Sequence, residues 1–180
     1  QIPFLNEVYS NSRINHNAVP DIENEKKIAG ELSYLFRNPR INSKITLYGT
    51  RFFKSIENSF AYADGIRGKA DFVSMLLTNI EKKHVGLEWG LEVGLSNTFQ
   101  LNTVVALGRF AYANAPNMYV ESDQFTGENR FIGKSFLKNY KLGGTPEKAY
   151  SIGFQYNDPK YWWVGVNANY LTDNFIQISP

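Results

Sequence analysis

The residues of this sequence that could take part in acid–base or metal chemistry are few and widely spaced. Glu88 and Glu92 are four residues apart, which along a strand is about 13 Å, farther than the paired carboxylates of glycoside hydrolases. The two histidines, His16 and His84, have no partner at the spacing of a metal site. Ser151 lacks the Gly-x-Ser-x-Gly context of a nucleophile. The sequence therefore predicts no catalytic centre, and the two glutamates are interpreted as solvated strand carboxylates.

A second group of carboxylates, Glu121, Asp123 and Glu128, resembles part of a calcium-binding loop. Phe125 occupies a position where such a loop needs another oxygen ligand, so the spacing fails the EF-hand test. We interpret these carboxylates as solvated loop charges. We expect a protein that is not an enzyme and that holds neither a metal nor another cofactor.

Composition excludes several other classes of function. The chain has 180 residues, a net charge of +2 and no cysteine, which argues against a nucleic-acid partner and excludes disulfides and thiolate chemistry. No stretch approaches the roughly 20 apolar residues of a membrane-spanning helix. A mean hydropathy of −0.35 does not exclude a membrane β-barrel, because a spanning strand is apolar only at every second residue. The aromatic content of 15% is expected where interface girdles are built.

The most regular pattern in the sequence is residues 84–95, where apolar residues alternate without interruption with polar residues or glycine. This alternation is typical of a β-strand, whose successive side chains point to opposite faces. In a soluble sandwich the apolar face meets a dry core, whereas glycines and paired carboxylates on the other face suit a water-filled lumen. We interpret the segment as a strand with lipid on one face and water on the other.

Five further segments show related alternation, which predicts six strands in all. The predicted strands are 28–37, 44–53, 84–95, 100–108, 149–156 and 161–170. Short turns are predicted near 38–43, 96–98 and 157–160, and long external loops near 1–26, 55–82 and 113–148. Outer-membrane barrels alternate short periplasmic turns with long external loops. The predicted fold class is therefore all-β, an antiparallel transmembrane β-barrel.

The alternation assigns each strand side chain to a face. The apolar set is predicted to face lipid and the polar set to face the lumen. The lipid-facing residues are Val85, Leu87, Trp89, Leu91, Val93, Ile152, Phe154, Trp162, Val164 and Val166. The lumen-facing residues are Glu31, Glu88, Glu92, Asn102, Gln155, Asn167 and Asn169.

Two arginines and a set of loop aromatics complete the predicted functional surface. Arg51 and Arg109 fall on the lipid face near the long loops, where either they meet anionic headgroups or a β-bulge turns them inward; both alternatives stay open. Aromatic residues of the long loops are predicted to bind the ligand, although such residues more often pin a loop against itself. These aromatic residues are Tyr62, Tyr112, Tyr119, Phe125 and Phe131.

Two parts of the sequence resemble a known family. Residues 143–171, GGTPEKAYSIGFQYNDPKYWWVGVNANYL, and residues 80–95, IEKKHVGLEWGLEVGL, resemble the β-barrel of TonB-dependent outer-membrane receptors of the Bacteroidetes type. The resemblance implies a barrel of 22 strands plugged by an N-terminal domain. It implies nutrient uptake across the bacterial outer membrane with energy relayed by TonB. The implied partners are outer-membrane lipid, the plug and TonB, both outside this chain, and a surface lipoprotein.

The chain departs from this family in size. About six strands cannot close a barrel of 22 strands, so we expect residues 1–180 to be a segment of a longer receptor. A complete barrel of eight strands is the structural alternative, but it would need two more strands from the N-terminal region. Two functional alternatives stay open: a soluble β-sandwich that binds carbohydrate or protein, and a passive porin-like barrel. The sequence does not name the ligand.

Overall fold

The protein is built from β-strands, with no helix in the part of the chain that the structure describes. The computed structural model describes residues 9–11, 15–19, 22–66, 69–122 and 130–176. The all-β prediction is confirmed. The strands are Tyr9–Asn11 (β1), Asn15–Ala18 (β2), Lys26–Arg37 (β3), Ile41–Ile66 (β4), Lys69–Gly94 (β5), Phe99–Tyr112 (β6), Asn117–Ser122 (β7), Arg130–Lys134 (β8), Pro146–Asn157 (β9) and Trp163–Asn174 (β10).

Six of these strands form a continuous antiparallel sheet in the order β10-β9-β6-β5-β4-β3. At one end, called the upper end here, β7 pairs with β5 and β8 pairs with β7, which completes a sheet of eight strands. β1 and β2 pair separately. β3 and β10 are the two edges, and within the described residues no ladder joins them, so the sheet is open. The six strands predicted from the sequence correspond to β3, β4, β5, β6, β9 and β10.

Side-chain oxygens fix the three short connections at the lower end of the sheet. Asn38 and Ser96 each accept hydrogen bonds from the backbone N–H groups two and three residues later, at 2.7–3.2 Å. Asp158 accepts one from the N–H two residues later at 2.8 Å. These are the local contacts by which Asn, Ser and Asp favour turns. The connections coincide with the short turns predicted from the sequence, although β4 already begins at Ile41.

The long loop predicted near 55–82 is wrong, because β4 and β5 continue through this region as a paired hairpin. The pairing shifts register just above Phe52. Lys54 and Asn79 adopt positive φ angles of 61° and 54° close to this irregularity. A β-bulge changes the face on which the following residues lie. The two-residue period of the sequence is therefore interrupted although the strands continue.

The other two predicted loops also contain strands where they are described. β7 and β8 lie within 113–148, and β9 already begins at Pro146. β1 and β2 lie within 1–26. These strands are short, and their sequences carry too few alternating residues to predict them from periodicity alone.

The buried hydrophobic side chains are concentrated at the upper end of the sheet. One cluster contains Leu77, Ile80, Tyr112 and Leu137, and a second contains Val19, Leu76 and Tyr119. We call this part the cap: residues 53–66 of β4, 69–81 of β5, 110–112 of β6, β7, β8 and 135–142. The remainder is called the ribbon: β3, residues 41–52 of β4, 82–94 of β5, 99–109 of β6, β9 and β10. The cap has a protein core, whereas the ribbon is a single layer with two accessible faces.

Candidate functional site

The strand register gathers the apolar side chains of the ribbon on one face. Residues directly opposite each other on paired strands lie on the same face. Trp89 is opposite Ile45 on one side and Val105 on the other. The pairing continues to both edges and forms one row across six strands: Tyr34, Ile45, Trp89, Val105, Tyr150 and Tyr170. We call this face the apolar wall.

All ten residues predicted to face lipid lie on or beside the apolar wall. Nine belong to β5, β9 and β10 and share its face through the register. Trp162 immediately precedes β10, and its ring centroid lies 5.3 Å from that of Tyr156, a residue of the wall. The two-residue period of the sequence thus places these side chains together although they come from distant parts of the chain.

The apolar wall is exposed. Leu32 and Val166 keep 72% and 66% of their surface accessible, and Phe154 keeps 47%. Trp89 and Val93 are half-buried, so neither is sealed by a second layer in the described part of the chain. The Trp89 Nε1–H donates to Ser43 Oγ at 3.0 Å, which satisfies a polar group that would otherwise be unpaired on this face. An apolar face of this extent indicates contact with something other than water.

The opposite face, which we call the polar wall, carries all seven residues predicted to face the lumen. Glu92 lies in one row with Asn42, Asn102 and Asn167. Its carboxylate accepts a hydrogen bond from the Gln100 amide. The register places the other predicted residues on the same face: Glu31, Glu88, Gln155 and Asn169. The assignment of faces across the ribbon follows from this register.

The glycines of the polar wall make room for neighbouring side chains. A Cβ atom added at Gly86 would lie 2.5 Å from Tyr48 Oη and 2.7 Å from the Leu107 carbonyl oxygen. Gly108 is covered by the Phe110 ring in a similar way, 2.6 Å from such an atom. No atom lies within 4 Å at Gly90. Glycine therefore has a packing role at some positions of this wall and leaves an open surface at others.

We expect Gly86→Ala to lower the free energy of unfolding by about 1–3 kcal/mol, as overpacking does elsewhere, since the Leu107 backbone cannot move away easily. Gly90→Ala is the matched control on the same strand and face. It should be neutral or stabilising by up to about 1 kcal/mol, because alanine loses less backbone entropy than glycine. Urea titrations of the two variants measure this difference. Equal effects would contradict the close approach of the Leu107 carbonyl oxygen to Gly86.

Two hollows open on the polar side of the sheet. The first is a groove of about 630 Å³ in the ribbon, where Arg37 and Lys44 lie near Glu92 and Asn102. The second, of about 380 Å³, lies where the ribbon meets the cap. Its lining includes seven side chains that carry polar or ionisable groups: Glu25, Ser55, Glu57, Lys82, His84, Tyr112 and Thr145. The polar wall therefore offers two accessible concave surfaces.

Hydrogen bonds hold the groups of the second hollow. The Glu57 carboxylate accepts from Tyr112 Oη at 2.6 Å and pairs with Lys82 Nζ at 2.5 Å. Burial and the bond to Glu57 raise the pKa of the Tyr112 phenol well above its ordinary value. Ser55 Oγ donates to Glu25 at 2.6 Å. In this arrangement Glu57 holds Tyr112 and Lys82, and Glu25 holds Ser55. The Ser55 hydroxyl therefore donates to a carboxylate and not to a histidine that could act as its base.

His84 is placed between two aromatic rings in this hollow. Its ring centroid lies 5.2 Å from that of Phe52 and 4.8 Å from that of Phe110. Its Nε2 atom is buried, without a hydrogen-bond partner among the residues that the structure describes. The other histidine, His16, lies in β2, and its side chain is outside the described part. Across that part, no three His, Asp or Glu side chains are grouped closely enough to hold a metal.

Arg51 and Arg109 stay on the face of the apolar wall. The register is unbroken through both residues, because the irregularity in β4 begins above Phe52. A bulge that turns either arginine inward is therefore contradicted. Arg51 Nη2 lies 2.6 Å from Glu81 Oε2, and the Arg109 side chain is exposed.

These arginines belong to a longer row of cations along the upper edge of the apolar wall. Each of five adjacent strands contributes one residue to this cationic border: Lys26, Arg51, Lys83, Arg109 and Lys148. From β3 to β9 the border moves six residues along the strands while it crosses four strand spacings. At about 3.3 Å per residue and about 4.8 Å per strand, this corresponds to a slope of about 45° relative to the strand rows.

The predicted ligand-binding aromatics are not in loops. Tyr62 and Phe131 lie in strands with 74% and 59% of their surface exposed. Tyr112 and Tyr119 are buried in the two cap clusters, so their ring faces support the cap rather than a ligand. Phe125 lies outside the described residues.

The carboxylates interpreted as solvated loop charges differ as well. Glu121 lies in β7 and is only 4% exposed, so its interpretation as a solvated loop charge is wrong. Asp123 and Glu128 lie outside the described part of the chain. Glu121 was misassigned for the same reason as Tyr112 and Tyr119: the region predicted to be a loop contains strands that pack on one another.

Comparisons with known proteins do not assign the chain to a family. No family model, curated protein or solved structure matches it. The resemblance to TonB-dependent receptors therefore rests on the sequence motifs alone and stays a prediction. In the described ranges, no helix is long and apolar enough to cross a membrane.

Sequence reasoning missed the charged groups of the second hollow. Glu57 and Lys82 are 25 positions apart and meet only because β4 and β5 form a hairpin above the ribbon. Glu57 lies in the segment 55–82, which was predicted to be a loop because the alternation of polar and apolar residues breaks off there. The available signal was residues 59–63, SFAYA, where aromatic residues alternate with small ones. After the bulge this alternation has the opposite face assignment.

Proposed function

We propose that this chain forms part of the transmembrane barrel of an outer-membrane receptor of the TonB-dependent type, which takes up a nutrient without changing it chemically. The observation that carries the proposal is the exposed apolar wall, which lies back to back with a polar wall across six strands. A strand between lipid and an aqueous lumen requires this arrangement. The nutrient, the plug and TonB enter through the sequence resemblance alone.

The height of the apolar wall supports a membrane-spanning role. On β5 the wall runs from Val85 to the turn residue Leu95, about 33 Å along a strand at the usual rise per residue. Tilted by about 40–45°, a strand of this length covers roughly 25 Å, which is the height of the apolar band of outer-membrane barrels.

The slope of the cationic border supports the same role. Strands of outer-membrane barrels tilt by about 35–45° from the membrane normal. In such a tilted sheet, a boundary parallel to the membrane crosses neighbouring strands at positions that shift steadily. The border from Lys26 to Lys148 shifts in this way, and its slope of about 45° is close to the expected tilt.

The open edges favour a larger barrel over a complete small one. In hydrocarbon every backbone N–H and C=O must be paired, so an open sheet cannot remain in a membrane. β3 and β10 each have one side without a partner strand in the described part of the chain. Further strands must pair with both edges, as in a barrel of which this sheet is a segment. A passive porin-like barrel satisfies the same geometry and differs only in lacking a plug and TonB contact.

A soluble β-sandwich would need a second layer over the apolar wall. None of the described residues supplies one, because both buried clusters lie at the upper end of the sheet, away from the apolar wall of the ribbon. Tyr34 and Val164 illustrate the consequence, since 67% and 58% of their surfaces stay accessible. This observation favours the membrane proposal over the sandwich.

Adjacent residues of β10 allow a direct test of the two faces. Val166 lies on the apolar wall and Asn167 on the polar wall, and both are exposed. We expect a nitroxide label at Val166→Cys, in the complete protein in a bacterial outer membrane, to collide with oxygen dissolved in lipid. The same label at Asn167→Cys should collide with a water-soluble nickel complex.

The chain contains no cysteine of its own, so within it each label occupies a single position. The ratio of the two collision rates, measured by power-saturation electron paramagnetic resonance, reports whether lipid or water surrounds the label. Equal ratios at the two positions, or exposure of position 166 to the nickel complex, would contradict the proposal. Recovery of the protein in a soluble fraction would contradict it too.

A further inference from the structure

We infer that the cationic border binds phosphate groups of lipids in the leaflet nearest the cap. The inference rests on the proposed function, because it requires lipid against the apolar wall. It goes beyond that function, since a barrel wall needs only hydrocarbon contact. The occupant is a lipid with an exposed phosphate, whose acyl chains lie on the wall and whose headgroup reaches the border.

The border carries more positive than negative charge. Arg51 pairs with Glu81 at 2.6 Å and Lys148 pairs with Asp173 at 2.7 Å. Even so, 54% of the Arg51 side chain and 47% of the Lys148 side chain remain accessible. No other carboxylate of the described chain forms an ion pair with the border. The Glu23 carboxylate, which pairs with Lys54, also interacts electrostatically with Lys26. Lys83 and Arg109 are therefore the border cations most available to an anion from outside.

The arrangement of the cations suits phosphate. Neighbouring strands are about 4.8 Å apart, so side chains from two strands can contact one phosphate, which presents several acceptor oxygens. Lys83 and Arg109 are the central pair, because they come from the adjacent strands β5 and β6 and lie one row apart on the same face. Among the described residues, Lys83 Nζ has a single, long hydrogen-bond contact of 3.4 Å, with Asn139 Oδ1.

The surface directly below the border suits the rest of a lipid. Tyr150 and Tyr170 are opposite each other and stack with ring centroids 6.2 Å apart, next to Lys148. Tyrosines of this kind belong at the level of membrane headgroups. Below them the wall continues with apolar residues such as Ile152, Phe154 and Val166. The phosphate, the interfacial part and the acyl chains of one lipid would thus meet cations, tyrosines and apolar side chains in turn, whereas free inorganic phosphate would contact only the cations.

The test compares two lipids with the same acyl chains on the complete protein in detergent micelles. We expect dioleoyl phosphatidic acid to bind more tightly than dioleoylglycerol, which lacks the phosphate. The double variant Lys83→Gln/Arg109→Gln should lose about 25-fold in affinity for the phosphatidic acid, at about fivefold per cation. Its affinity for dioleoylglycerol should not change. Native mass spectrometry of the lipid-bound species measures both affinities.

The matched control is Arg37→Gln/Lys44→Gln, which removes the same charge from the polar wall. It should retain the preference for the phosphatidic acid, and Arg109→Lys should retain most of it. Equal losses in both double variants, absence of a preference, or displacement of the lipid by millimolar inorganic phosphate would overturn the inference. If only this inference fails, the nitroxide label at position 166 still reports contact with lipid. If the proposed function fails, both the lipid contact of that label and the preference for phosphatidic acid are lost.

Discussion

Leu91→Arg is expected to lower the free energy of unfolding in a lipid bilayer by about 2–4 kcal/mol, the cost of arginine at the middle of a barrel's lipid face. Leu91 lies on the apolar wall, close to the middle of the stretch from Val85 to Leu95 that the wall occupies on β5. Its neighbour Glu92 points to the polar wall and is exposed. Glu92→Gln should therefore have little effect. Urea titrations of the complete protein in vesicles compare the two variants.

A second comparison separates a lipid face from a protein core. Val85 lies on the same wall, only two residues from Lys83 at the cationic border. Near a membrane interface the cost of arginine falls to about 0–1 kcal/mol, so Val85→Arg should be much less harmful than Leu91→Arg. In a dry sandwich core both substitutions would bury a charge at high cost. Equal losses at Leu91 and Val85 would contradict lipid contact at the apolar wall, whereas equal losses at Leu91 and Glu92 would contradict the assignment of the two faces.

The ribbon could be predicted from the sequence because one rule, the two-residue period, decides its whole structure. Trp89, Val105 and Tyr150 are far apart in the chain, yet each belongs to an alternating segment whose apolar face must meet the same surroundings. Antiparallel pairing without a bulge then places them in one row. Turn residues such as Asn38 and Asp158 fix where the rows begin. Local rules were sufficient here.

The cap could not be predicted in this way, because its structure depends on contacts that no local pattern records. The register shift near Lys54 reverses the meaning of the alternation that follows it. Tyr112 was predicted to bind the ligand from its sequence position alone, but it is buried because it packs against Leu77 and Ile80. The cationic border was visible only as two arginines, since its other members become neighbours through the strand register.

Ile80→Ala is expected to destabilise the cap by about 2–5 kcal/mol, the range for removing a buried isoleucine side chain and leaving a cavity. Ile80 has no accessible surface and contacts a cluster formed with Leu77, Tyr112 and Leu137. Protein surrounds this cluster, so lipid cannot fill the cavity. Amide hydrogen exchange should therefore quicken in β7 and in residues 137–142, while the ribbon keeps its protection.

Leu35→Ala is the matched control, because this leucine lies on the polar wall with half of its surface accessible. Its truncation leaves no closed cavity and should cost about 0.5 kcal/mol or less, as surface substitutions usually do. Faster exchange throughout the ribbon in Ile80→Ala would contradict the division into ribbon and cap. Because Ile80 is fully buried within protein, this experiment tests the packing of the cap independently of the membrane proposal. Whether lipid or water meets the apolar wall is decided separately, by comparing Leu91→Arg with Val85→Arg.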